Sequence, residues 1–156
     1  IAIFLWAEPL NLIQEKDAFK LAIDKMAEQV KDKKVDLIVG AESRGFLIGS
    51  ALAYKMNCGF IPVRKKGKLP YKTISEEYAL EYGTDTLYMH EDAIKKGDNV
   101  LVVDDLIATG GTALAMIKMV EKLGGNVVGS SFLIELEELN GRKEIEKYPI
   151  NILIKY

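Results

Sequence analysis

The stretch at residues 99–115, NVLVVDDLIATGGTALA, limits the possible folds more than any other part of the chain. Its apolar run, residues 100–103, lacks the alternation of a strand with one wet face and reads as a strand covered on both sides. Two acids follow directly, then a small flexible loop. A helix is predicted from about Thr112 to Leu123, with Ala113, Met116, Ile117, Val120 and Leu123 inward and Gly124-Gly125 as its stop. A doubly covered strand leading into a helix belongs to a parallel sheet layered between helices.

The flanking chain repeats this alternation. Residues 16–31 carry Phe19, Ala22, Ile23, Met26, Ala27 and Val30 at helical spacing. DLIVG at 36–40 is a short apolar strand, followed by AESRGF and an apolar helix over about 46–56. GFIPV at 59–63 is another strand, and 126–136, a helical turn near Glu144, and 151–154 complete the pattern. Two runs, 75–82 and 86–90, instead read as an antiparallel flap; in the first, Tyr78, Leu80 and Tyr82 share one face and Glu77, Ala79 and Glu81 the other. The expectation is an α/β fold with a central, mostly parallel sheet flanked by helices. Ligands in such sheets bind beyond the carboxyl ends of the strands. Three strands here lead into unusual polar loops: AESRG, RKKGK and DDLIATGGT.

At 156 residues, 49% of them apolar, the chain suffices for one domain with a real core. Its net charge of −2 argues against a general nucleic-acid or membrane-surface binder. A single cysteine, Cys58, precludes an intramolecular disulfide, suits a reducing compartment and falls between apolar segments as a core residue. No apolar run approaches the ~18 residues of a membrane span, and IAIFLW is too short and lacks the basic leader of a signal peptide. A cytoplasmic protein is expected. His90, the only histidine, has no Ser or Cys near it in sequence to build a hydrolytic triad, and no Cys/His spacing suggests zinc.

Ala108, Thr109, Gly110, Gly111 and Thr112 form a glycine-rich turn opening a helix. Free backbone N–H groups and the positive end of the helix dipole make such a turn an anion site, although an ordinary turn capped by Thr112 would have the same composition. No lysine follows Gly111, so this is not a nucleoside-triphosphatase loop. Asp104 and Asp105 are costly to crowd unless they face water, a metal or a polyol. Beside a phosphate cradle they fit a sugar phosphate, the loop taking the phosphate and the acids the ring hydroxyls. Arg64, Lys65, Lys66 and Lys68 concentrate positive charge in a net-acidic chain, as a solvated loop or as the seat of a polyanion such as pyrophosphate; Arg44 is a second candidate for that anion. Glu81 is either an exposed glutamate or a proton-handling group on the flap.

VLVVDDLIATGGT resembles the phosphoribosyl-pyrophosphate (PRPP) motif of type I phosphoribosyltransferases. AESRGF, VRKKGKLP, YALEYGTDTLYMHEDAIKKGDNV and SSFLIELEELNGR are similar to the adenine phosphoribosyltransferase family from about Asp17 to Tyr156. The resemblance implies a type I phosphoribosyltransferase fold with a flap (about 75–92) and a small hood (about 1–15) within a single domain, 1–156. It implies transfer of the phosphoribosyl group of PRPP to adenine, giving AMP and pyrophosphate, with Mg2+ carried mainly by PRPP and no protein ligand for the metal. Ala108 to Thr112 would hold the 5-phosphate, and Asp104 and Asp105 the ribose hydroxyls and the developing positive charge. Arg44, Arg64, Lys65 and Lys68 would receive pyrophosphate. Glu81 would handle a proton near the base, and Tyr82 would close with the flap. The family also often has a strained or cis peptide corresponding to Glu42-Ser43.

The base pocket departs from the pattern. The family has an apolar residue and a phenylalanine before a D-I-T-P-like run; here Ile3, Phe4 and Pro9 fit, while Trp6 and Glu8 replace the expected Asp and Thr. Phe4 and Leu136 would sandwich the purine, and backbone groups of Ile3 and Leu5 would read its edge. The family's usual N-terminal helix has no evident match, which suggests a truncated or divergent start. A phosphoribosyltransferase for another base and a non-catalytic PRPP sensor are the competing functions. Sensors of that kind normally add a DNA-binding domain, for which this chain has neither room nor charge. No nucleic-acid or membrane partner is expected, and the family is commonly homodimeric.

Overall fold

The structure is a computed structural model that describes residues 9–80 and 82–156. After helical residues 9–14, the elements run α1 (Lys16–Gln29), β1 (Leu37–Ala41), α2 (Arg44–Met56), β2 (Gly59–Val63), β3 (Thr73–Leu80), β4 (Gly83–His90), β5 (Asn99–Ile107), α3 (Gly111–Lys122), β6 (Asn126–Glu135) and β7 (Ile150–Lys155). Short 3-10 turns cover Glu137–Leu139 and Gly141–Glu144. The strands of the central sheet lie in the order β2-β1-β5-β6-β7, and every pairing is parallel. β3 and β4 form a separate antiparallel pair. This is the expected sheet and flap, with the flap strands starting at Thr73 and Gly83 rather than Ser75 and Thr86.

Side-chain alternation along the continuous apolar runs builds both cores. Val39, Val100 and Val102 enter a cluster with Met116, Ile117 and Val120 of α3. Their neighbours Ile38, Leu101 and Val103 enter a second cluster with Ile23 and Met26 of α1 and Ile48 and Leu52 of α2. Successive residues of one strand therefore serve opposite layers, which is why VLVV contains no polar residue. Cys58 packs at the edge of the second cluster, as expected, and so do Leu12 and Ile13.

One prediction needs correction. β5 does not stop at Val103 but continues through both acids to Ile107. Its partner β6 stays in register beside it, pairing Asp104 with Phe132, Leu106 with Ile134 and Ile107 with Glu135. On the other side, β1 follows β5 only as far as the Gly40–Val103 pair. The extra four residues of β5 thus border an open crevice, the acids held in extended backbone by β6. β1 and β5 are also where the strand order turns: β2 lies outward from β1, while β6 and β7 lie outward from β5. Open parallel sheets bind ligands at this kind of switch point.

Candidate active site

A cavity of about 370 Å3 opens in the crevice, lined by the start of α2, by Lys65 and Tyr78, by Asp104 and Asp105, and by the turn from Ala108 to Thr112. The polar loops after β1 and β5 therefore meet at one place, and the basic loop after β2 contributes Lys65.

α3 begins after Gly110, which takes φ +89°, a left-handed conformation that an L side chain rarely adopts. No side chain caps this helix, so its first amide N–H groups keep their capacity to bind an anion. Thr112 falls inside the helix and is not its cap. Thr109 is exposed and Thr112 half-buried, both on the cavity.

The two acids occupy different surroundings. Asp105 is 4% exposed, with Oδ2 3.0 Å from Nε of Arg44. Asp104 Oδ1 accepts the Asp105 backbone N–H at 2.8 Å and rests against the first turn of α2, where a Cβ on Gly45 would come within 2.8 Å of it. Burial, reinforced by the charge of Asp105, raises the Asp104 pKa well above the ordinary carboxylate range, and the Arg44 guanidinium offsets only part of this. The peptide between Glu42 and Ser43 is cis, as the family resemblance led us to expect.

Glu42, which sequence reasoning did not single out, organises the basic loop. Its Oε1 accepts the backbone N–H of Lys65 at 2.5 Å and lies 3.5 Å from Nε of Arg64. Lys65 Nζ donates to the Tyr78 hydroxyl at 3.1 Å and pairs with Asp85 of β4. The Asp85 hydrogen bond raises the Lys65 pKa, and the reciprocal bond lowers that of Asp85. Lys68, by contrast, is exposed and does not line the cavity. Arg64 borders on Glu42 rather than on the cavity, its guanidinium 5.8 Å from the Phe46 ring centre. Tyr82 is 94% exposed. Leu136 is half-buried beside the second core cluster, and its N–H donates to Ile107 O at 3.0 Å. Ile3, Phe4, Leu5 and Glu81 lie outside the described residues.

Two further residues went unrecognised in the sequence. Glu135, 2% exposed at the end of β6, accepts two hydrogen bonds from Arg142, Nε to Oε2 and Nη2 to Oε1, both at 2.8 Å. Nothing in the alternation of ELEELNGR distinguishes this buried acid from the exposed Glu137 and Glu138 beside it.

A family described as phosphoribosyl transferase domain matches residues 10–155, which defines the class to which this sheet and crevice belong. The chain is 84% identical over 152 residues to the adenine phosphoribosyltransferase of Brachyspira hyodysenteriae, covering 97% of this chain and 89% of that protein. A crystal structure of adenine phosphoribosyltransferase from Thermoanaerobacter pseudethanolicus superposes with a TM-score of 0.91 at 50% identity, covering 93% of this chain and 84% of that one. The Saccharomyces cerevisiae enzyme, solved with an imino-altritol bisphosphate and adenine, gives 0.86 at 41% identity over 92% of this chain and 84% of that one. The chain belongs to the adenine phosphoribosyltransferase family.

Proposed function

We propose that this protein transfers the phosphoribosyl group of PRPP to adenine, forming AMP and releasing pyrophosphate, a purine-salvage reaction. The observation that carries this reading is the single cavity bounded by Asp104, Asp105 and the uncapped start of α3. It offers anion-binding amides and sugar-binding carboxylates side by side. The choice of adenine is supported by the 84% identity to the Brachyspira enzyme and by the adenine bound to the yeast one.

Ala108, Thr109, Gly110, Gly111 and Thr112 take the 5-phosphate through amide and hydroxyl donors. Asp104 and Asp105 accept hydrogen bonds from the ribose hydroxyls. As the bond from the anomeric carbon to pyrophosphate lengthens, positive charge grows on the ring, and two fixed carboxylates lower its energy. Arg44, Arg64, Lys65 and Lys68 stabilise the departing pyrophosphate, Lys65 by leaving Asp85 and Lys68 by moving in with its loop. Ile3, Phe4, Leu5 and Leu136 hold the base, Glu81 manages its proton, and Tyr82 travels with the flap that excludes water.

Magnesium would come to the site already bound to the diphosphate of PRPP. Among the described residues no group of three or more His, Cys, Asp or Glu is assembled to hold an ion. The nearby acids Asp105 and Glu42 lie against Arg44 and Arg64. This donor set suits a metal held by substrate oxygens, where it neutralises charge on the leaving group. The protein works as a homodimer in the cytoplasm, each chain a single domain over 1–156 with its hood near 1–15 and its flap near 75–92.

The test is incubation with PRPP, magnesium and one base at a time. AMP from adenine is expected, with no nucleotide from hypoxanthine, guanine or orotate. Product from one of those bases would reassign the substrate, and PRPP binding without turnover would make the protein a sensor.

A further inference from the structure

We infer that Arg142 is a positioning residue for phosphoribosyl transfer: by gripping Glu135 it holds Gly141 against the back of the phosphate loop and fixes that loop's shape. The inference rests on the proposed function, because it assigns the 5-phosphate to residues 108–112.

The loop's front faces the cavity; its back meets Gly141. A Cβ at Gly141 would come within 2.3 Å of Ala108 O and 2.9 Å of Gly110 N, and a Cβ at Gly110 within 2.4 Å of Gly141 O. The two backbones therefore touch with no space for a side chain between them. Gly110, in a left-handed conformation without a Cβ, has little intrinsic preference for that shape over others. An external wall can select it.

The wall is anchored by Arg142. The chain leaves β6 at Leu136, whose N–H is bonded to Ile107 O immediately before the loop. It turns through Asn140 at φ +50° and returns at Gly141. Arg142 then reaches back to Glu135 with two parallel hydrogen bonds, a geometry that restrains direction as well as distance. The Arg142 bonds hold the Glu135 carboxyl below its usual range, consistent with an ionised acid matched to its partner. Ile145, 2% exposed in the first core cluster, secures the far side of the turn. Arg142 is absent from the cavity lining, so it acts on the phosphate only through Gly141.

The test compares R142M, R142K and G141A with the unaltered protein. KM for PRPP and the Kd of AMP report the phosphate loop; KM for adenine at saturating PRPP and the Kd of pyrophosphate report sites without a 5-phosphate. In R142M the first pair should worsen about ten- to a hundredfold, the scale of a misplaced binding group. The second pair should stay within about twofold, because neither ligand carries a 5-phosphate and Leu136 keeps its own N–H bond to Ile107 O. R142K, which keeps the charge but loses the fork, should recover part of the loss, and G141A should show the same split as R142M. Because R142M strands a buried carboxylate, E135Q/R142M provides the variant with no unpaired charge, and it too should show the split. Equal losses in all four quantities, or an unchanged Kd for AMP, would overturn the inference. If the unaltered protein binds neither PRPP nor AMP, the reading of the site falls as well.

Discussion

At the scale of single residues, Asp104 sits where burial and the neighbouring Asp105 disfavour a second negative charge. Because its pKa is raised, the native state holds a proton that the unfolded chain has already released between the ordinary carboxylate value and the raised one. Stability should therefore fall as pH rises across that window and level off above it. Asp104→Asn removes the penalty. At pH 7 the variant should melt higher, by about 2–4 °C for each kcal/mol of relief, while turnover drops by roughly a hundredfold or more as the developing ring charge loses a partner. Thermal melts across pH 4–8 with steady-state rates check this; an unchanged melting temperature would show that the free site tolerates both charges. The acid pair was legible in the sequence because adjacent carboxylates are expensive and so conspicuous. Glu42, Glu135 and Arg142 were not, since their importance comes from partners 7 to 23 positions away.

Among the elements, the flap is joined to the basic loop through Arg64 and Lys65. Lys65 is bonded to Tyr78 on β3 and paired with Asp85 on β4, and Tyr88 exchanges backbone hydrogen bonds with Arg64. Lys65 and Asp85 are 42% and 35% exposed at their side chains, so their pairing is the kind that water weakens. Pyrophosphate, with several charges, should displace Asp85 from the lysine. Asp85→Asn removes the competitor, and the KM for PRPP should fall by up to about fivefold, matching the roughly 1 kcal/mol ceiling for exposed pairs. A rise in KM would mean that Asp85 aims the lysine rather than occupying it. The strands and helices themselves were readable from period and punctuation. The end of β5 is not readable in this way: the open side left by β1 and the continued pairing with β6 allow both acids to remain in the strand.

For the whole molecule, α2 carries Leu47 and Tyr54, 43% and 92% exposed and two turns apart on one face, and Leu21 of α1 is 56% exposed. Apolar surface of this kind suits a second copy of the chain. Sedimentation equilibrium should give twice the chain mass of 17.4 kDa; the mass of one chain at micromolar concentration would remove the homodimer from the proposal. The linear order of residues was enough to determine the layered parallel sheet, the helix started by a glycine turn and the placing of an acid pair beside that turn, because these follow from periodicity and from local backbone and charge costs. Only the tertiary structure decided that the pairing of β1 with β5 stops four residues before β5 does, that Lys65 rather than Lys68 reaches the cavity, and that Gly141 backs the turn at Ala108 and Gly110. Those outcomes depend on which distant segments come into contact, and a contact between segments far apart in the chain leaves no periodic trace in either one.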